Sequence, residues 1–215
     1  MKVNFILIAE GSSDLRLVEH IERILIEEGF EEARGEAPDL GRFQQPIGTT
    51  VKEKLQAVVK YFPSAEIVFI HRDVDNAGVE ARRGEIMAAA LGVISMDKIV
   101  PIIPVKMLET WLLADRELIS RVAGGRDPQT ELSSLPPIRQ LESKSQTKSI
   151  LQDALCEASG LKRDSQLSAF RKRFSEMRAR LVLDLDPDGP VRELPSYEAF
   201  RESIQQLVQK AHATN

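Results

Sequence analysis

One cysteine occurs in the 215 residues. Cys156 alone builds neither an internal disulfide nor a Cys-based zinc cluster. In Leu155-Cys156-Glu157-Ala158 it reads as a packing residue on a helix. Cysteine poverty fits a reducing cytoplasm. No apolar run approaches the roughly 20 residues that span a bilayer, so no membrane partner is expected. The first residues, Met1-Lys2-Val3-Asn4, lead straight into a strand-like run without a signal-peptide pattern. A cytoplasmic location is therefore the expectation. The sequence has no internal repeat and no low-complexity tract. It also lacks the nucleotide-binding pattern Gly-x-x-x-x-Gly-Lys-Ser/Thr. The net charge of -4 argues against a protein that coats nucleic acid, but it leaves room for a local basic patch.

The hydrophobic fraction of 42% and charged fraction of 29% are those of a globular chain able to bury a core. Residues 3–9 are apolar without clear alternation, as in a strand covered on both faces. Gly11 supplies a turn, and Ser12 or Ser13 can cap a helix. Leu15, Val18, Ile21, Ile24 and Leu25 recur at helical spacing, and Gly29 ends the run. Residues 30–47 read as loop with at most a short strand. Helices are predicted over 51–61 and 79–91, and strands over 67–71 and 99–105. Pro101 and Pro104 give the last strand an edge position or a bend. A further helix starts at 107. Strands alternating with helices predict a mainly parallel sheet sandwiched by helices. After residue 123 only helical patterns are clear, at 145–158, 164–180 and 196–211. The expected organisation is an α/β catalytic domain over 1–122 and a helical C-terminal appendage over 123–215.

Two acidic signatures follow the two best strands. The first is Phe5-Ile6-Leu7-Ile8-Ala9-Glu10-Gly11. The second is Ile67-Val68-Phe69-Ile70-His71-Arg72-Asp73-Val74-Asp75. A carboxylate at the end of a buried strand stands at the sheet edge where open α/β folds bind ligands. Asp73 and Asp75 are two apart, so extended backbone faces them the same way. Oxygen donors without a His or Cys cluster suit Mg²⁺ or Mn²⁺ rather than zinc. Glu10, Asp73 and Asp75 are thus candidate metal ligands and candidate catalytic residues for phosphate-ester chemistry.

This pattern resembles the Toprim fold shared by topoisomerases, primases and OLD-type nucleases. Glu10-Gly11 and Asp73-Val74-Asp75 match its Glu-Gly and Asp-x-Asp in order and context, over roughly residues 3–115. The chain looks most like small bacterial OLD-like proteins associated with phage defence. The resemblance implies a Mg²⁺- or Mn²⁺-dependent nuclease acting on DNA or RNA beside an ATPase partner. The departures narrow the branch. Only Tyr61 and Tyr197 are present, with little room for a DNA-gating body, and one cysteine builds no primase-type zinc module. Hydrolysis by activated water needs neither. A phosphoryl-receiver or phosphatase-like module is the alternative, as is a catalytically silent Toprim-fold binding subunit.

Other candidates follow from position. Lys106 and Glu109 come just after the third strand; Lys106 can contact a scissile phosphate and Glu109 can bind a second metal. Asp14 and Gly11 are candidates to support the ligands, Asp14 also suiting a helix start. His71 and Arg72 can touch phosphate. Glu85 and Trp111 read as a solvated helix residue and a core residue. Arg171, Lys172 and Arg173, with Phe170 and Phe174 interleaved, form a candidate nucleic-acid-binding stretch. Asp184-x-Asp186-x-Asp188-Gly189 imitates a calcium loop, but Pro195 stands where its bidentate Glu is needed.

Overall fold

The structure, a computed structural model, describes residues 1–43, 47–125 and 131–214. Its first strand, β1 (Lys2–Ile8), buries Phe5 through Ile8 without interruption, the mark of a strand covered on both faces. A 3₁₀ turn at Ser12–Asp14 leads into α1 (Leu17–Glu27). The short strand β2 (Glu32–Glu36) follows, then α2 (Val51–Tyr61), β3 (Ile67–His71), α3 (Val79–Ala90) and β4 (Ile99–Ile102). Beyond them come α4 (Glu109–Leu112), α5 (Arg116–Ala123), α6 (Thr147–Ala158), α7 (Asp164–Arg171), α8 (Phe174–Asp184) and α9 (Pro195–Thr214). No strand follows β4 among the described residues.

The four strands pair in the order β2-β1-β3-β4, all parallel. The chain therefore steps from β1 outward to β2, then crosses to the other side of β1 to form β3. The direction of winding reverses between β1 and β3, and the crevice at such a reversal lies at the strands' carboxyl ends. Phe5 to Ile8 stand opposite Ile67 to Ile70 in this central pair. All five residues of β3 are buried, and each fully buried aliphatic side chain stabilises by about 1.5–3 kcal/mol. β4 is an edge strand, which accommodates Pro101 opposite Ile70.

Each face has its own cover. Ile6, Ile8, Val68 and Ile70 pack with Val51, Leu55 and Val58 of α2 and Ile86 of α3. On the other face, Phe5 meets Phe69 edge-on at 5.1 Å, and Phe69 meets Phe200 of α9 at 6.3 Å. α2 begins on a capping box: Glu53 N–H donates to Thr50 Oγ1 (3.2 Å), and Thr50 N–H donates to Glu53 Oε2 (3.1 Å).

The chain divides into two units, one of Met1–Ile103 with Ala199–Asn215, the other of Pro104–Glu198. The sequence pattern puts the divide after residue 122, but in the structure it falls at the end of β4. Composition misses the return of the C-terminal segment to the first unit. Arg201, with a side chain only 3% exposed, pairs there with Glu27 (3.1 Å) and Glu28 (2.6 Å) at the end of α1. The second unit is helical, around Leu112, Leu118, Leu151, Leu155, Leu181 and Tyr197. Cys156 is buried within it.

Gly35 allows β2 to lie close to its neighbours. A Cβ there would stand 2.2 Å from the Phe5 ring and 2.4 Å from Val18. Gly35→Ala should destabilise the protein by roughly 1–3 kcal/mol through overpacking, measured as a lower urea midpoint with unchanged slope. An unchanged midpoint would show that β2 is free to move away from Phe5.

Candidate active site

Glu10 follows β1 and Asp73 follows β3, so the switch point brings them side by side. The Asp73 N–H donates to Glu10 Oε2 at 2.8 Å. Buried His71, the last residue of β3, joins this pair to Asp14. Its Nε2 lies 3.2 Å from Asp73 Oδ1 and its Nδ1 lies 3.5 Å from Asp14 Oδ2. Neither ring nitrogen is aligned for a hydrogen bond, so the contacts become ion pairs when the ring is protonated. Burial alone would push the imidazole pKa down. The carboxylates of Asp73, Asp14 and Glu10 outweigh that cost and raise it above its ordinary value.

Two arginines complete the charge balance. Arg72 reaches Glu10 at 3.4 Å and Glu85 at 3.3 Å. Arg82 of α3 donates from Nε to the Asp73 carbonyl (2.9 Å) and pairs with Glu85 (2.8 Å) and Asp75 (3.3 Å). Asp75 has φ 49, a left-handed conformation that Asp tolerates better than most residues. Its side chain is half exposed. Glu85, which reads from sequence as a solvated helix residue, is held by both arginines.

A cleft of about 640 Å³ opens here, lined by Glu10, Arg72 and Glu85 together with the start of α2. Lys54 of α2 also lines it and donates from Nζ to the Ala9 carbonyl at 3.1 Å. Lys54 and Arg82 belong to the site although the sequence pattern does not single them out. The signal for Lys54 was its place beside the apolar stripe of Val51, Leu55 and Val58. Arg82 offered only its spacing of three from Glu85.

Gly11 also lines the cleft. Gly11 has ordinary extended backbone, and a Cβ there would meet only Asp14 and Ser13 at van der Waals distance. Its carbonyl accepts the Asp14 N–H (3.2 Å), which closes the turn. Lys106 (φ 67) and Glu109 belong to the second unit. Glu109 is buried there and accepts from Arg178 Nε at 2.8 Å. Trp111 is fully buried in that unit, as expected of a core residue, and donates to Ser196 Oγ at 2.8 Å. Arg171, Lys172 and Arg173 are exposed, and Arg173 pairs with Glu176 (3.3 Å). Phe170 and Phe174 are buried, so these rings are not stacking platforms.

Among the described residues, no group of three or more His, Cys, Asp or Glu side chains is arranged to hold a metal ion. Glu10, Asp73 and Asp75 do not converge as a trio, because Asp75 turns to Arg82. The Glu10–Asp73 pair does suit Mg²⁺ in donor chemistry, since that ion takes one or two protein carboxylates and leaves its other positions to water and phosphate. No family model, curated protein or solved structure matches the chain.

Two measurements test these assignments. His71 has a raised folded-state pKa, so its contribution is fully present below the unfolded value of about 6.5 and is lost as pH rises through the folded value. The melting temperature of the wild type should fall with pH above about 6.5 relative to His71→Asn; parallel profiles would refute the charged histidine. Glu109→Ala strands Arg178 in a buried place and should cost about 3 kcal/mol of stability, read from urea unfolding. A loss under 1 kcal/mol would exclude a structural role for the pair.

Proposed function

We propose that this protein is a metal-dependent nuclease that hydrolyses phosphodiester bonds at the carboxyl edge of the sheet. One observation carries the reading: Glu10 and Asp73, from strand ends 63 residues apart, are joined by a 2.8 Å hydrogen bond at the switch point. That bond ties the Glu10 carboxylate to the Asp73 backbone, so both acids stand at one sheet edge. The Toprim resemblance supports the same pair and implies a role for Asp75, which here pairs with Arg82.

Glu10 and Asp73 would hold Mg²⁺ or Mn²⁺, which when bound supplies charge stabilisation at phosphate and an acidified water. The chain's own residues do the rest. His71 fixes the Asp73 carboxylate from the buried side. Arg82 fixes the Asp73 carbonyl and keeps Asp75 near. Arg72 and Lys54 bring positive charge to the cleft, where a phosphate oxygen accepts charge-assisted hydrogen bonds. The exposed Arg171, Lys172 and Arg173 suit contacts to a nucleic-acid backbone. A nucleotide-driven step would come from a partner ATPase, because the chain has no phosphate loop of its own.

Cleavage of plasmid, single-stranded DNA and tRNA with Mg²⁺ and Mn²⁺ tests the reading. Cleavage is expected to need metal and to fall at least 100-fold in Glu10→Gln and Asp73→Asn, the scale of lost acid–base or metal function. Metal-independent cleavage, or activity that survives both substitutions, overturns it.

A further inference from the structure

We propose that the 640 Å³ cleft is a pocket for one nucleotide unit carrying a phosphomonoester, with the phosphate between Lys54 and Arg72. The proposal rests on the nuclease reading only for the word nucleotide; the phosphate follows from the cleft itself. Lys54 and Arg72 come from different elements and line the same cavity. Lys54 donates only to the Ala9 carbonyl, and no carboxylate pairs with its ammonium among the described residues. Arg72 makes two long ionic contacts, at 3.4 and 3.3 Å, and its buried Nε has no hydrogen-bond partner. Both cations therefore have donors to spare.

They also oppose each other. Burial lowers the Lys54 pKa, and the Arg72 charge lowers it further, against a smaller opposing pull from Glu10. Two like charges in a half-buried cleft are relieved by an anion between them. Glu10, Asp39 and Glu85 line the cleft too, but each already has another partner; Asp39 takes Arg42 at 3.0 Å. Glu85 takes Arg82 at 2.8 Å, and Glu10 takes the Asp73 N–H. A phosphomonoester carries about 1.5 to 2 negative charges near neutral pH, which matches two cations better than the single charge of a diester.

Size and lining indicate the remainder of the ligand. The volume is that of a small-ligand pocket, a class spanning about 300–1,000 Å³. Leu15, Pro38, Leu40 and Ile47 give the cleft an apolar wall, which suits a base or the face of a sugar. The pocket takes one unit, whether a free mononucleotide or the phosphorylated end of a strand.

Binding in metal-free buffer tests this apart from catalysis. Adenosine 5′-monophosphate, inorganic phosphate, adenosine, and a single-stranded oligonucleotide with and without a 5′-phosphate are titrated by calorimetry. The monophosphate should bind at least 10-fold tighter than adenosine. Lys54→Met should lose that difference while keeping the wild-type melting temperature, and Lys54→Arg should restore most of it. Tighter binding of the phosphorylated oligonucleotide than of the mononucleotide assigns the pocket to strand ends; the reverse assigns it to free nucleotides, and either supports the proposal. Equal binding of adenosine and its monophosphate, no binding by any phosphorylated probe, or an unaffected Lys54→Met overturns it. Phosphate-dependent binding without metal-dependent cleavage would leave this pocket standing and remove the nuclease reading. Cleavage without phosphate-dependent binding would do the opposite.

Discussion

The parallel pairing of β1 with β3 governs everything at the site. Its register, Phe5 opposite Ile67 through Ile8 opposite Ile70, brings the ends of two strands level. The Asp73 N–H then finds the Glu10 carboxylate. A one-residue slip would turn the central strands' side chains to the wrong faces, and the apolar layers on both sides make that slip costly. Core packing thus fixes the acid pair.

Charge then shapes what the pair faces. Glu10, Asp14, Asp73, Asp75 and Glu85 crowd one sheet edge, and carboxylates this close repel. Each is met by a basic group: His71 from within, Arg72 beside Glu10, Arg82 across Asp75 and Glu85. Arg82 has a double role, since its Nε also ties down the Asp73 carbonyl. Lys54 has no carboxylate partner among the described residues, and the proposed phosphate would supply the counter-charge.

The strands and the acid pair were legible because each depends on local pattern. Continuous apolar runs marked β1 and β3, and carboxylates directly after them marked the edge. Pro101 announced an edge strand. Other features were not legible. The first unit ends at Ile103 and takes in the segment from Ala199, which Arg201 ties to α1 through ion pairs that composition does not encode. The expected helix over 164–180 is two, α7 and α8, broken at Lys172 and Arg173. The role of Glu109 was hidden because its partner, Arg178, lies 69 residues away. Lys54 and Arg82 escaped notice for a similar reason: a cation on an amphipathic helix looks solvated until the sheet edge beside it is known.

The central claim is that the Glu10–Asp73 junction is the cation site of the protein. Paramagnetic broadening of backbone amide resonances by substoichiometric Mn²⁺ tests it most directly. The account predicts that broadening centres on the amides of Glu10, Gly11, Asp73 and Val74 and disappears in Asp73→Asn. Broadening centred on another acidic cluster, or none at Mn²⁺ concentrations that saturate ordinary carboxylate-pair sites, would contradict it.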